Sequence, residues 1–158
     1  AYQKALDTFP GSTTAIDDGL DRFGRTFADL TADDVEERMR GLYADRLYFN
    51  DTLVTLESSA AVGDYMARTG EKLTISRVDI DQALRDGSDV FVRWTMHFES
   101  SAWGMKVESH SIGMTHLRFD DDGRIVLHQD FWDAAAGLYE HLPIVGAMIR
   151  TAKKAMKK

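Results

Sequence analysis

Apolar residues recur at helical spacing in three stretches of the first half of the chain. The first predicts a helix that begins near Thr14, because its apolar residues follow steps of four, three and four: Ile16, Leu20, Phe23 and Phe27. Thr14 also opens a capping box, which is a common helix start. Similar spacing predicts a second helix over residues 31–43 and a third that is capped by Ser58 or Ser59 and ends near Gly70.

The spacing changes to period two between the second and third helices and again after the third. Residues 46–50 predict a short strand. Four further strands are predicted after residue 72, the first with a bulge between Ile75 and Val78, the others over residues 90–98, 105–119 and 124–132. Turn signals separate these four strands: Asp86-Gly87, Trp103-Gly104 and the run Asp120 to Gly123. Consecutive hairpins of this kind predict an antiparallel meander.

The remaining segments are helical in pattern, and together the elements predict an α+β fold. Residues 133–141 and 143–157 form C-terminal helical segments, the second of them basic and amphipathic. We expect one domain over residues 1–158, with its core over about residues 14–142. The chain has 158 residues and 44% hydrophobic content, enough for one sizeable core.

Charge and composition exclude several classes of function. A net charge of -7 argues against a nucleic-acid partner, which requires a basic face. The chain has no cysteine, so a disulfide framework, a thiol nucleophile and a thiolate metal site are all absent. It also has no long apolar run and no signal-peptide pattern near Ala1, and a cytoplasmic location is the default expectation.

Strand alternation groups the polar residues that could carry chemistry. It places them on one face of three strands: Tyr48 and Asn50 on the first, Arg93, Thr95 and His97 on the long strand, and His128, Asp130 and Trp132 on the last. If these faces point inward, they converge on one pocket. A buried Asp130 would then need a partner, and Arg93 is the obvious donor. His97 and His128 are the groups there that could relay protons near neutral pH.

The order of elements, with one strand between helices two and three, resembles the nuclear-transport-factor-2-like, or SnoaL-like, superfamily. Two local sequences carry the same resemblance: Val92-Arg93-Trp94-Thr95, and Gly123-Arg124-Ile125 leading into His128-Gln129-Asp130-Phe131-Trp132-Asp133. The resemblance runs from roughly Thr14 to Leu142. It implies a strongly curved antiparallel sheet whose N-terminal helices form a cone-shaped pocket, a cystatin-like α+β roll. Members include isomerases, cyclases, dehydratases, epoxide hydrolases and binding modules, so the fold alone does not select an activity.

Within the superfamily, the limonene epoxide hydrolases give the closest comparison of site residues. Their water-activating Tyr-x-Asn pair is matched by Tyr48 and Asn50, their strand arginine by Arg93 and their basic aspartate by Asp130. The second, acidic aspartate of that family is replaced by Thr95. In the cyclases of the superfamily an aspartate likewise stands where this chain has Thr115. The resemblance therefore implies a pocket with Asp130 as base and with Thr95, Thr115 and Trp132 as substrate contacts.

Two functions from different classes follow. The first is a cofactor-independent hydrolase, isomerase or dehydratase that acts on a small, largely apolar molecule. The second is a ligand-binding or dimerisation module, in which Arg93 and Asp130 form a structural ion pair and Tyr48 and Asn50 only satisfy hydrogen bonds at a strand edge. We expect no cofactor and no metal, because the histidines lack the close spacing that metal sites commonly show.

A second face of the sheet is apolar in pattern and predicts a homodimer. Its residues alternate with the polar set on the two long strands: Trp94, Met96, Phe98, Ile112 and Met114. A face this apolar must be covered, and a partner subunit is the simplest cover. The basic C-terminal segment could bind a membrane surface, but docking on its own domain is the favoured interpretation.

Overall fold

The computed structural model describes residues 1–101, 106–141 and 143–156. Six helices occur there: α1 Tyr2–Thr8, α2 Ile16–Phe27, α3 Val35–Leu42, α4 Ser59–Gly70, α5 Ala134–Gly137 and α6 Pro143–Ala155. The strands are β1 Tyr43–Asn50, β2 Thr55–Ser58, β3 Leu73–Asp86, β4 Asp89–Ser100, β5 Val107–Phe119 and β6 Ile125–Trp132. A short 3₁₀ helix, Tyr139–His141, links α5 to α6.

The predicted α+β roll is confirmed: helices cover one face of an open, curved sheet with the strand order β2-β1-β6-β5-β4-β3. Strands β3 to β6 form the predicted antiparallel meander. The expectation of a purely antiparallel sheet is wrong at one place, because β1 pairs with β6 in parallel. The long crossover through β2, α4 and the meander makes that pairing direction accessible.

Local sequence signals placed several element ends correctly, but the predicted capping box at Thr14 does not form, since α2 begins at Ile16 after Ala15 without a side-chain cap. The Ser58 side chain accepts a hydrogen bond from the Ala61 amide and so caps α4. Gly87 and Gly123 turn the hairpins with φ of 59° and 70°, in the left-handed region that glycine adopts without strain. The bulge in β3 is misplaced in the prediction, since the register shifts lie between Leu73 and Ile75 and between Ile80 and Gln82. The predicted Trp103-Gly104 turn, Leu142 and the last two lysines lie outside the described residues.

Two elements have no counterpart in the prediction. Strand β2 extends the sheet beyond β1, and α1 packs on the side of the sheet opposite the other N-terminal helices. Tyr2 of this helix and Phe9, which directly follows it, join a cluster with Tyr48 and Leu127. The α1 segment has few apolar residues, so its pattern alone is a weak helix signal. None of the helices in the described ranges has the length and apolar character of a membrane span.

The two faces of the sheet differ from the prediction in the strand β4. Its apolar residues Trp94, Met96 and Phe98 point toward the helices and line the interior. Its polar residues therefore point away. The predicted placement had these two sets reversed. Hydrophobic burial decides the outcome, because a strand with one dry face turns its apolar set inward.

Candidate functional site

A pocket of about 330 Å³ lies between the sheet and the helices α2 and α4. Most of its wall is apolar, built from aromatic and aliphatic side chains of both layers: Phe23, Phe27, Leu30, Met66, Val78, Trp94, Met96, Phe98 and Leu138. A few polar groups break this wall, among them His128, Asp130 and Thr115. An apolar cavity of this size with a small set of converging polar groups is typical of a small-molecule site.

The centre of the polar set is a hydrogen-bonded chain from Tyr43 through His128 to Asp130. The Tyr43 hydroxyl lies 2.8 Å from His128 Nδ1, and His128 Nε2 lies 3.0 Å from Asp130 Oδ1. Burial raises the pKa of Tyr43 well above its usual value, with the carboxylates of Asp130 and Asp51 adding to the effect. Tyr43 therefore keeps its proton and donates to Nδ1, which leaves Nε2 to donate to Asp130.

Strand β5 and strand β4 supply the other support of Asp130. The Thr115 hydroxyl donates to Asp130 Oδ1 at 2.5 Å and accepts from Trp94 Nε1 at 2.8 Å. The Trp94 indole can lie this close to β5 because Gly113 has no side chain. A Cβ at Gly113 would stand 2.2 Å from the indole ring. Asp130 is thus held by a histidine and a threonine whose own positions are fixed.

The second carboxylate oxygen of Asp130 is left for a ligand. The side chain is 15% exposed, and His128 is the sole basic residue within ion-pair distance among the described residues. Thr115 and His128 both bond to Oδ1, and no donor in the described ranges bonds to Oδ2. A carboxylate with a free oxygen and without a permanent cation beside it can accept a proton from a bound molecule.

A second pocket carboxylate, Asp51, is fully engaged by the protein. Its Oδ1 accepts the amides of Leu53 and Val54, both at 2.9 Å, and its Oδ2 accepts the Tyr65 hydroxyl at 2.6 Å. The Asp51 carbonyl accepts the indole N–H of Trp132 at 2.9 Å. Burial raises the pKa of Tyr65, and the hydrogen bond to Asp51 raises it further. These contacts assign Asp51 to the structure of the pocket rim.

One buried hydroxyl in the described part of the wall has no hydrogen-bond partner. Ser76 Oγ of β3 is buried, lines the pocket and makes no hydrogen bond to any described residue. Ser76 lies opposite Phe98 on β4, whereas Thr115, the partner of Asp130, lies opposite Val92. Polar groups therefore occur toward both ends of an apolar pocket. A buried hydroxyl without a partner is costly, and a ligand oxygen would satisfy it.

Comparison with known families agrees with this geometry. Residues 23–128 match the model of the SnoaL-like domain, which is more than half of the chain. The chain belongs to the SnoaL-like domain family. The matched residues include most of the helices and strands that line the pocket and end at His128. Among curated protein sequences, none matches the chain.

Solved structures share the fold of this SnoaL-like domain at low sequence identity. A ketosteroid isomerase-like fold from Catenulispora acidiphila, in complex with trimethylamine, is 17% identical with a TM-score of 0.64, covering 76% of this chain and 88% of its own. An LEH-like epoxide hydrolase from M. tuberculosis is 18% identical with a TM-score of 0.59 (80% and 87%). A protein described as a SnoaL-like polyketide cyclase, from Shewanella putrefaciens, is 17% identical with a TM-score of 0.63 (75% and 82%). At these identities the likeness establishes the fold.

The predicted site residues of β4 lie outside the pocket of the SnoaL-like domain. Arg93 is 53% exposed, and its nearest carboxylate is Asp81 at 3.7 Å. The Thr95 hydroxyl donates to the same Asp81 at 2.9 Å. His97 stacks on His110 on the outer face. The predicted pair of Arg93 with Asp130 is therefore wrong, because neighbouring residues of one strand point to opposite faces and the apolar set occupies the inner one.

The predicted pair on β1 is also on the wrong face. The Tyr48 hydroxyl donates to Gln129 Oε1 at 2.8 Å, and Asn50 accepts from Gln129 Nε2 at 3.1 Å. Gln129 is adjacent to Asp130 in β6 and points to the other side of the sheet. Tyr48 and Asn50 thus cannot reach Asp130 Oδ2. The expected cluster of Tyr48, Asn50, Arg93 and Asp130 does not form.

The structure places the remaining candidates, His128, Asp130, Thr115 and Trp132, in the pocket wall. Their roles stay predictions. Three polar residues of the pocket wall could not be assigned from the sequence: Asp51, Tyr65 and Ser76. The same holds for Tyr43, which lies behind the pocket wall. A signal existed for Tyr43, because an aromatic residue at the start of a buried strand needs a partner for its hydroxyl. The inward direction of Ser76 depends on the bulges of β3, which the sequence did not locate.

A second hydrogen-bonded Tyr–His–Asp chain lies on the outer face of the sheet. The Tyr2 hydroxyl lies 2.6 Å from His116 Nδ1, and His116 Nε2 lies 2.6 Å from Asp89 Oδ1. Arg118 Nε also donates to Asp89 Oδ1 at 2.5 Å. Burial lowers the pKa of His116, against the opposing effect of Asp89. Because Tyr2 of α1 packs on it, His116 is buried although it lies on the outer face of the sheet.

Proposed function

We propose that this chain is a cofactor-independent enzyme that moves a proton on a small, largely apolar substrate, as a hydrolase, isomerase or dehydratase does. The observation that carries the proposal is the Asp130 carboxylate, which faces an apolar pocket. Among the residues that the structure describes, none donates to its Oδ2 and no lysine or arginine forms an ion pair with it. A carboxylate oxygen that faces a bound molecule and has no protein donor can take a proton from that molecule. Asp130 is the general base in this proposal.

The neighbours of Asp130 fit the role of a supported base. His128 donates to Oδ1 and Tyr43 fixes the ring behind it, so Oδ2 keeps one direction. When Oδ2 takes a proton from a carbon next to a carbonyl, the electron pair of that C–H bond moves into an enolate, and the same carboxyl can return the proton at another position. With a water in place of the carbon acid, the same base generates a nucleophile for hydrolysis.

Substrate size and polarity follow from the wall. A volume of about 330 Å³ admits a molecule of modest size. Met66 and Met96 offer adaptable apolar contacts, and Thr115 and Trp132 lie beside the reacting end. At the other end the Ser76 hydroxyl can donate to a carbonyl or hydroxyl oxygen of the substrate. Similar folds described as an epoxide hydrolase and a polyketide cyclase are consistent with acid–base chemistry in such a pocket.

The methionines offer a direct test of where a ligand binds. Met66 and Met96 line the pocket, whereas Met114 is 43% and Met148 is 69% exposed elsewhere. The protein would be labelled with 13C at the methionine methyl groups and titrated with 1-tetralone, an apolar cyclic ketone. We expect the Met66 and Met96 signals to shift and those of Met114 and Met148 to stay. Shifts confined to Met114 or Met148 would contradict the pocket assignment.

The rival function is a ligand-binding module with the same pocket. The closed hydrogen-bond set around Asp51 favours this alternative, because it shows that a carboxylate in this wall can be purely structural. Both functions predict that a ligand binds in the pocket, but only the enzyme changes the ligand chemically. Methionine shifts without deuterium uptake into any of a panel of bound ketones in D2O would support the binding module.

Homodimerisation is a separate part of the proposal. Ile112, Met114 and Phe131 form an apolar patch on the outer face of the sheet and are 66%, 43% and 48% exposed. Trp94, Met96 and Phe98 do not belong to this patch, which corrects the predicted interface. We expect Ile112→Glu to give a monomer of about half the mass of the parent by light scattering. A parent that is already monomeric would contradict homodimerisation.

A cytoplasmic location likewise stays a prediction from the sequence.

A further inference from the structure

Two histidines and one glutamate face the same side of the β4–β5 hairpin. His97 and His110 are direct cross-strand partners, and Glu108 lies two residues before His110, so all three side chains leave the outer face of the sheet. One nitrogen or oxygen atom of each lies within 4.8 Å of the others. The sequence spacing does not reveal this cluster, because antiparallel pairing creates it.

The geometry of the cluster is close to that of a coordination sphere. Glu108 Oε1 lies 3.6 Å from His97 Nε2 and 3.3 Å from His110 Nε2. Ligand atoms about 2.0–2.1 Å from a tetrahedral ion are separated by about 3.4 Å. The two imidazole rings are nearly parallel, with centroids 4.2 Å apart. One ligand atom of each residue is already within 4.8 Å of the others, so side-chain rotation can direct both nitrogens toward one ion.

The lone pair of His97 is available for a ligand. His97 Nε2 is shielded from solvent and makes no hydrogen bond within the described residues. Neighbouring charges are already engaged. Arg77, which lies opposite His97 on β3, donates two hydrogen bonds to Asp79. Lys106 pairs with Glu99 at 2.9 Å. Lys106 also attracts Glu108 electrostatically, but neither Arg77 nor Lys106 forms an ion pair with Glu108 among the described residues.

We propose that His97, Glu108 and His110 bind one divalent transition-metal ion per chain, with water in the remaining position. Two imidazole nitrogens and one carboxylate oxygen suit Zn²⁺, Cu²⁺ or Ni²⁺, whereas Mg²⁺ and Ca²⁺ prefer oxygen ligands throughout. The site lies on the face opposite Asp130, so it is separate from the pocket. The sequence-based expectation of no metal rests on residue spacing and does not consider this cross-strand pair.

Calorimetric titration of the untagged protein with ZnCl2 tests the site. We expect one ion per chain with a micromolar dissociation constant, and at least tenfold weaker binding in His110→Ala and in Glu108→Gln. His141→Ala removes a histidine outside the hairpin and is the matched control, expected to bind like the parent. MgCl2 should give no heat of binding at the same concentrations.

Electron paramagnetic resonance with Cu²⁺ provides a second readout. We expect nitrogen hyperfine lines in the parent that change when either His97 or His110 is replaced by alanine. Thermal melts of each variant without metal show whether it is folded, and the exposed His110 makes its variant the more robust of the two. Unchanged Zn²⁺ affinity in a folded His110→Ala variant would overturn the proposal, as would one ion per two chains.

Discussion

The sheet carries two Tyr–His–Asp chains, one on each face, and they differ in one charge. On the outer face, Tyr2, His116 and Asp89 are joined by Arg118, which donates to Asp89 and to the carbonyl oxygens of Leu6 and Phe9. On the inner face, Tyr43, His128 and Asp130 are joined by Thr115, which is neutral. The connectivity is the same in both, but in the part of the chain that the structure describes only the outer carboxylate has a permanent cation within ion-pair distance.

This difference separates a structural element from a candidate site. Arg118 neutralises Asp89 and ties α1 to the sheet, so the outer set stabilises the fold, and its carboxylate does not line the apolar pocket. Asp130 keeps a free oxygen toward an apolar pocket. The same three residue types therefore do not define a site by themselves. Whether such a set is a candidate site depends on the charge next to the carboxylate and on the surroundings that its free oxygen faces.

Replacing Asp89 or Asp130 by asparagine should give the largest difference in unfolding free energy between the two faces. Asp89→Asn leaves Arg118, which is 13% exposed, without its charged partner, and we expect a loss of about 3 kcal/mol in unfolding free energy. Asp130→Asn keeps an acceptor for Thr115 and His128 and strands no cation, so we expect a change within about 1 kcal/mol. Urea denaturation of both variants beside the parent measures this. Equal losses would show that the two chains play the same role.

The packing of Trp94 on Gly113 should give the next largest effect. An added methyl group at Gly113 would meet the Trp94 ring, move the indole from Thr115 and cost about 1–3 kcal/mol. The matched control is Gly41→Ala in α3, where a Cβ meets no atom within 4 Å and should be neutral or slightly stabilising. Thermal melting compares the two. A Gly113→Ala variant as stable as Gly41→Ala would show that the indole is not confined there.

Removing the hydroxyl of Tyr43 or of Tyr2 should give a smaller difference in stability. Tyr43→Phe leaves the buried His128 Nδ1 without a donor, and we expect a loss of about 1–2 kcal/mol. Tyr2→Phe removes a similar bond at a half-buried position, where water can replace the hydroxyl, and about 0.5 kcal/mol is expected. Denaturant titrations measure both, and a larger loss for Tyr2→Phe would reverse the ranking of the two chains.

The smallest expected effect is the dependence of stability on pH at His116. Burial lowers the pKa of His116 in the fold, so the unfolded chain takes up a proton first as pH falls below about 6.5. The stability from a neutral His116 is therefore present at pH 7 and lost as pH decreases toward 5. His116→Gln should flatten this slope in denaturant titrations at both pH values. An unchanged slope would contradict the assignment.

Much of the fold was predictable because hydrophobic period and turn chemistry act locally. Ser58 capped its helix as expected, and Gly87 and Gly123 turned their hairpins. The parallel pairing of β1 with β6 was not predictable, because it depends on how distant elements pack. Helix α1 was missed for a related reason: its stability comes from contacts with Tyr48 and His116 and not from its own pattern.

The site was predictable only where a motif agreed with strand alternation. His128, Asp130 and Trp132 satisfy both conditions and lie in the pocket. Arg93 satisfied the motif alone, and its strand turned Trp94 inward because burial of the indole is worth more than an exposed ion pair. Alternation of apolar residues is therefore the stronger guide where the two signals conflict.

Deuterium uptake into a bound ketone is the most direct test of Asp130 as a general base. A panel of apolar ketones, 1-tetralone among them, would be incubated with protein in D2O and followed by NMR at the carbon next to the carbonyl. We predict faster uptake for at least one ketone with the parent and with folded Asp89→Asn, and background rates with Asp130→Asn. Uptake that persists in Asp130→Asn, or no acceleration across the panel by the parent, would contradict the account.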